Sequence, residues 1–165
     1  MYEQQYKLRA RGLFPPAPAV VAVGLQLVEN VGSVLRLADA AGSRRVILVH
    51  DEQQFDYPLK RIQRTARNTE ALVEWESWTQ DQFLTRCKQP LIAVELTSNS
   101  ANIFDTDLPL ECTYLIGNER HGIPTAILET CEQAVYIPMY GVNGSMNVTH
   151  ALAIALYEWR RRYPE

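Results

Sequence analysis

The sequence predicts an α/β protein: a mostly parallel sheet with helices on both of its faces. Three observations lead there. Short apolar runs recur at Val20–Leu27, Arg45–His50, Leu91–Leu96, Thr113–Gly117 and Ala134–Pro138. Helix-like stretches separate the earlier runs, and the last one passes through a Gly-bearing loop into a long amphipathic helix. Runs that are apolar along their whole length suit strands covered on both sides, as parallel strands joined by crossover helices are.

Taken in order, Met1–Pro18 reads as an arm, with basic Lys7, Arg9 and Arg11 and with Pro15, Pro16 and Pro18 interrupting regular structure. Val20–Leu27 is the first buried strand. Asn30 is placed to cap the helix that follows, which ends near Gly42. Val31, Val34, Leu35, Ala38 and Ala41 form its apolar stripe. Arg36 lies about 100° around the helix from Leu35, away from the core centre. Arg45–His50 is the second strand. Pro58–Asn68 follows as a basic helix carrying Lys60, Arg61, Arg64 and Arg67. Ala71–Trp75 reads as a short strand, Thr79–Lys88 as a helix, and Leu91–Leu96 as another strand before the polar Thr97-Ser98-Asn99-Ser100.

The C-terminal third is the most informative. Thr113–Gly117 runs into Gly117-Asn118-Glu119-Arg120-His121-Gly122, whose glycines permit a tight turn or the close approach of a ligand. Gly141 and Gly144 punctuate the loop after Ala134–Pro138, and Ser145 or Asn147 caps the last helix. Val148, Leu152, Ala155, Leu156 and Trp159 recur on one face of that helix. Arg160, Arg161 and Arg162 end it, where positive charge suits the dipole. No repeat, low-complexity tract or linker divides the chain, so one domain over 1–165 is expected, with 1–18 as its arm. Ligands in such sheets sit beyond the carboxyl ends of the strands. Glu95–Ser100, Gly117–Gly122 and Pro138–Ser145 should therefore converge on one pocket.

Composition narrows the function classes. The chain has 165 residues, 47% apolar and 21% charged, as ordinary globular proteins do. No run is long and apolar enough to span a bilayer, and the N-terminus lacks the apolar centre of a signal peptide. No membrane role and a cytoplasmic location are expected. Cys87, Cys112 and Cys131 are odd in number and widely spaced, which suggests reduced thiols without a disulfide framework or zinc site. His50, His121 and His150 show no metal spacing, so no metal is expected. The net charge of −3 argues against a surface that binds polyanions everywhere. Any nucleic-acid contact must use local patches, for which Lys7, Arg9, Arg11, Lys60, Arg61, Arg64 and Arg67 are the candidates.

Singly, the polar residues have plain structural readings: Asn30 a cap, Arg36 a solvated helix residue, Glu119 a loop carboxylate, and Gly117-x-x-x-x-Gly122 a turn. Their combination is more specific. Asn30-x5-Arg36, then Ile116-Gly117-Asn118-Glu119-x-x-Gly122-Ile123-Pro124, then Ile137-Pro138-Met139 with Ser145-Met146-Asn147-Val148 and Tyr157-Glu158, occur in that order. This resembles the three motifs of the SpoU/TrmH branch of the SPOUT methyltransferases, in its short form without an added RNA-binding domain. The resemblance runs from Val20 to Arg162.

That resemblance implies an α/β knot, with the C-terminal segment threaded as a deep trefoil. It implies S-adenosyl-L-methionine (SAM) as cofactor, a homodimer, and methyl transfer to a ribose 2′-hydroxyl of tRNA or rRNA. The negative charge and the missing extension favour a small target such as tRNA. Carried over by position, the cofactor-binding residues are Leu96, Thr97, Gly117, Asn118, Glu119, Gly122, Ile137, Met139, Ser145, Met146 and Asn147. The catalytic set is Arg36, Asn30, Glu119, Ser145 and Asn147, and Arg36 acts in its own or the partner subunit's site. A guanidinium keeps its proton far above neutral pH, so Arg36 suits clamping a phosphate and stabilising an alkoxide better than general base catalysis. The proton then leaves to phosphate or water. Glu119 is either the base or a carboxylate that holds a loop. Two other readings stand beside this one: a catalytically silent RNA- or partner-binding subunit with the same knot, and a nucleotide-binding α/β enzyme of ordinary topology.

Overall fold

The computed structural model describes residues 15–50, 57–87 and 90–164. Seven strands form one sheet: β1 Ala19–Val23, β2 Arg45–His50, β3 Glu74–Thr79, β4 Leu91–Val94, β5 Ala101–Asn102, β6 Thr113–Ile116 and β7 Gln133–Tyr136. Their spatial order is β3-β2-β1-β6-β4-β7-β5, and the pairings are parallel. The helices are α1 Val28–Ala41, α2 Leu59–Ala66, α3 Gln80–Arg86, α4 Thr125–Leu128 and α5 Val148–Arg162.

Strand alternation sorts the core into two layers. Val20 and Ala22 of β1 face the layer that α1, α2 and α5 cover with Val31, Leu35, Ile62, Leu152 and Trp159. Val21 and Val23 face the other layer, with Phe83 of α3 and Ile127 of α4. Both sides of the central strands are therefore dry, which is why their sequences are continuously apolar.

Several boundaries differ from expectation. The first strand ends at Val23 and not Leu27, because Gly24 adopts φ +65° and turns the chain. Ala17 and Pro18 belong to the fold and not to an arm: Ala17 is buried and bridges Ser43, whose hydroxyl donates to Pro18 O at 2.7 Å. Arm residues Lys7, Arg9 and Arg11 lie outside the described residues. The strand expected at Ala71–Trp75 begins instead at Glu74, after a 3-10 turn over Thr69–Ala71. The basic helix stops at Ala66 because Arg67 and Asn68 both turn left-handed, with φ 52° and 69°. Helix α1 ends as expected, in a Schellman turn at Gly42 (φ +84°), with Ser43 N–H donating to Ala38 O at 2.8 Å.

Helix α5 lies along α1, tied at both ends. Asn147 at its start reaches Asn30, and Arg160 near its end donates to Ala41 O at 2.7 Å and to Pro15 O at 3.1 Å. The arginines at the end of α5 do more than complement the dipole. Glu158 is buried and accepts from Arg161 and Arg162 at 2.8 Å, and Arg162 also donates to Ile103 O and Thr106 O.

Candidate functional site

Strands β6, β4 and β7 are neighbours, so the loops leaving their carboxyl ends open at one edge of the sheet. Register brings them level. Ala93 pairs with Leu115 on one side and Ala134 on the other, so two residues on, Glu95 stands between Gly117 and Tyr136. That register sets the 95–100 and 117–122 loops side by side as expected, while 138–145 leaves the next strand with Tyr140 and Val142 fully open to solvent.

The 117–122 loop is closed on itself. Asn118 N donates to Gly122 O at 2.9 Å, and Gly122 N returns the bond to Asn118 O at 3.0 Å. The Asn118 side chain accepts from Arg120 N and His121 N and donates to Gly24 O at 2.6 Å, locking the loop onto the turn after β1. A Cβ at Gly117 would sit 2.2 Å from the Gly122 carbonyl carbon and 2.4 Å from Ile123 N, so only glycine allows this closure. Gly122 has φ +67°, and a Cβ there would lie 2.6 Å from a Glu95 carboxylate oxygen. Glu95 accepts from Ile123 N at 3.2 Å and from its neighbour Leu96 N at 3.1 Å, joining the first two loops.

Glu119 points back across the sheet to the start of α1. It accepts from Gln26 N at 3.1 Å, Leu27 N at 3.3 Å and Asn30 Nδ2 at 2.7 Å. Asn30 is buried, and its Oδ1 accepts from Asn147 Nδ2 at 3.5 Å. Asn147 Oδ1 in turn accepts from Thr149 N and the Thr149 hydroxyl, capping α5. Burial raises the Glu119 carboxyl pKa, but the hydrogen bonds from Asn30, the loop backbone, Gln26 and Leu27 outweigh it, leaving Glu119 below the usual carboxylate value. An acceptor so occupied is a poor proton acceptor, and Glu119 holds the turn. Asn30 does not cap α1 as expected: the N-cap is Leu27, Asn30 sits in the first turn, and its amide serves Glu119.

The remaining expected residues are placed as follows. Leu96 is 67% exposed and Met139 39% exposed, with Ile137 and Met146 half-buried. Thr97 closes a small turn with Ser100, its N–H donating to the Ser100 hydroxyl at 3.0 Å. Ser145 is exposed. Arg36 is exposed and has no hydrogen-bond or ion-pair partner among the described residues; six residues past Asn30 puts it on a different side of α1. Lys60, Arg61, Arg64 and Arg67 all face solvent. The structure thus unites Asn30, Gly117, Asn118, Glu119, Gly122 and Asn147, and leaves Arg36 apart.

Sequence reasoning missed two residues. Glu95 stands at the end of an apolar run with no local motif around it. Tyr57 donates to Leu25 O at 2.6 Å, and burial together with the nearby Glu119 carboxylate pushes its phenol up to about 12. Only contacts across the fold reveal either one.

Comparison with known proteins covers nearly the whole chain. Residues 17–157 match the model of the SpoU rRNA Methylase family. The chain is 27% identical over 148 residues to the tRNA (guanosine(18)-2'-O)-methyltransferase of Aquifex aeolicus, covering 88% of this chain and 70% of that protein. It is 26% identical over 164 residues to the 23S rRNA (guanosine-2'-O-)-methyltransferase of Neisseria meningitidis, covering 91% of this chain and 60% of that one. An AdoMet-bound rRNA methyltransferase from Sinorhizobium meliloti superposes with a TM-score of 0.77 at 26% identity, covering 92% of this chain and 59% of that one. The chain spans less than two thirds of the length of the last two.

Proposed function

The chain belongs to the SpoU rRNA methylase family, and from that premise we propose that it transfers the methyl group of SAM to a ribose 2′-hydroxyl of RNA. The observation that carries this reading is the hydrogen-bonded chain Glu119–Asn30–Asn147, which draws three distant sequence segments to one end of the sheet. A site so assembled from loop ends is where a parallel sheet holds a ligand.

The residues present fit the cofactor. Leu96, Met139 and half-buried Ile137 offer apolar walls to an adenine at the mouth of the loops. Gly117 keeps side chains out of the turn between them. Asn118 and Glu119 hold the loop, and Asn147 starts α5 beside Ser145. SAM supplies an electrophilic methyl group, so the protein's task is to place a 2′-oxygen in line with it and stabilise the charge that develops.

Glu119 is committed to Asn30 and the backbone, so it is a positioning residue here and not the base. Arg36 has no partner among the described residues and clamps the target phosphate, with the proton leaving to phosphate or water. Its separation from Asn30 supports action in the partner subunit's site of a homodimer. Exposed Tyr157 and half-buried Ile154 on α5, with half-buried Leu37 on α1, supply an apolar face for such a pairing. A trefoil knot in the C-terminal third is part of the same proposal, supported by the way Glu119 and Asn147 both close on the first turn of α1. The RNA is tRNA in preference to rRNA, since a net charge of −3 suits a small target met by local patches. A cytoplasmic location accompanies an RNA substrate.

The test is transfer from labelled SAM to total RNA of a deletion strain, followed by mapping of 2′-O-methylated positions. Label in a defined ribose is the expected result. Cofactor binding without transfer to any RNA fraction would favour a silent subunit.

A further inference from the structure

The basic face of α2 meets an acid of α1 that the reaction does not explain. Glu29, in the first turn of α1, accepts from Arg61 of α2 at 2.7 Å and lies 3.9 Å from Arg64. All three side chains are well exposed, at 43%, 54% and 75% respectively. The Arg61 hydrogen bond, foremost, holds the Glu29 carboxyl below its usual range.

The ion pair is not what docks α2 on α1. That contact is made underneath, where Ile62 and Ala66 are fully buried. At Gly32 the helices approach so closely that a Cβ would lie 2.7 Å from Thr65 Cβ and 3.0 Å from Ala66 N. An exposed pair on the rim of so tight a packing adds little to it.

Its position suggests another use. Arg36 is seven residues past Glu29, two turns along the same side of α1, about 10 Å away in rise. One solvent face therefore presents a guanidinium with no partner among the described residues, then two guanidiniums held by a carboxylate. A carboxylate and a phosphate use the same donors of an arginine fork. We infer that Glu29 is a built-in stand-in for an RNA phosphate, occupying Arg61 and Arg64 in the free protein and yielding them when the RNA backbone arrives. This rests on the RNA-methyltransferase reading and extends it: the RNA crosses the α1–α2 face, and Glu29 lowers the affinity for any polyanion that cannot displace it. A flexible, exposed glutamate can rotate out at small cost, so exchange needs no movement of the backbone.

The experiment measures binding of a fluorescently labelled, unmodified tRNA transcript over a range of salt concentrations. It compares wild type, Glu29→Gln, the Arg61→Ala/Arg64→Ala pair, and the triple variant. Glu29→Gln should bind about twofold to fivefold more tightly, the scale of one exposed ion pair, with the salt slope unchanged because the same phosphates are met. The arginine pair should weaken binding and flatten the slope by roughly one unit for each phosphate no longer neutralised, and in that background the Glu29 substitution should have no effect. Glu129→Gln, next to α4 on the opposite layer, removes the same charge elsewhere and should change nothing. If Glu29→Gln leaves affinity unchanged while the arginine pair weakens it, the stand-in is wrong but the surface holds. An equal gain with and without the arginines also overturns the proposal, as a mere net-charge effect. An inert arginine pair removes the surface from the RNA path, and a wild type that does not bind the transcript overturns the proposal for tRNA while leaving methyl transfer to other RNA to be read by the labelled-SAM assay.

Discussion

Asn30 donates its side-chain amide to Glu119 at 2.7 Å, although 89 residues separate them. The acceptor must be a carboxylate, because Gln26 N–H and Leu27 N–H converge on it too. Glu119→Gln would set an NH2 group among donors. We expect a loss of about 1–2 kcal/mol, the range for a part-exposed charged hydrogen bond, read as a lower unfolding midpoint in urea. Asn30→Asp added to it should recover part of the loss. An additive double variant would mean the two side chains do not act together.

Stability should fall on acidification. Glu119 and Glu158 both lie below the usual carboxylate value of 4.5, Glu158 at about 2 through its bonds to Arg161 and Arg162. Groups with depressed values stabilise the fold above the unfolded-state value and lose that contribution as pH drops through the folded one. Urea midpoints should therefore decline between pH 4.5 and about 2, and Glu158→Gln should flatten that decline while lowering stability at neutral pH. A variant with the wild-type acid profile would show that Glu158 is not the group responsible.

Two glycines should behave in opposite ways. At Gly117 an added methyl meets the Gly122–Ile123 backbone, which cannot yield without opening the loop. Gly117→Ala should keep the far-UV spectrum but lose cofactor affinity by more than about tenfold, since a misplaced loop costs on the order of 1.4 kcal/mol or more. At Gly141 a methyl group would have no described atom within 4 Å. Gly141→Ala should bind SAM as wild type does in calorimetry.

Tyr114 carries a liability. It is fully buried, its hydroxyl has no hydrogen-bond partner among the described residues, and burial drives its phenol far up. Tyr114→Phe removes the orphaned group and should leave stability unchanged or raise it by about 1 kcal/mol. A clear drop in Tm would reveal a partner for that hydroxyl.

Arg36 tests the partner-subunit reading. Arg36→Ala should retain SAM binding and lose most turnover, with Arg36→Lys a poor substitute for the planar fork. Mixed one to one with the SAM-deficient Gly117→Ala chain, it should recover about a quarter of wild-type activity, because half the dimers are mixed and each has one competent site. A dead mixture with heterodimers present would place Arg36 in its own chain's site.

Much of the architecture was legible beforehand, for physical reasons that differ by element. β2 matches its expected bounds and α5 nearly so, because full burial and helical periodicity write themselves into composition. β3 was displaced because it is an edge strand, GluTrpGluSerTrpThr, whose exposed residues hide the pattern that the apolar Ala71–Val73 mimics. β5 and α4 are too short to show any period. At the site, glycines and the α5 cap were visible because turns and caps are local. Glu95, Tyr57 and the true partner of Asn30 were not, because each acts on atoms that only the tertiary fold brings near.

The bonds from Arg160 to Ala41 O and Pro15 O join residues 119 and 145 positions apart. They set a constraint on synthesis. During translation the first helix emerges long before the segment that seals its far end, and pairings of such sequence separation form late and slowly. Until residue 160 has left the ribosome, the apolar side of α1 that Leu152, Leu156 and Trp159 cover has no occupant. A chain cut short within α5 should therefore leave this flank of α1 open, the kind of surface that chaperones and proteases recognise. Sealing of the far end of α1 thus waits for the final turn of α5.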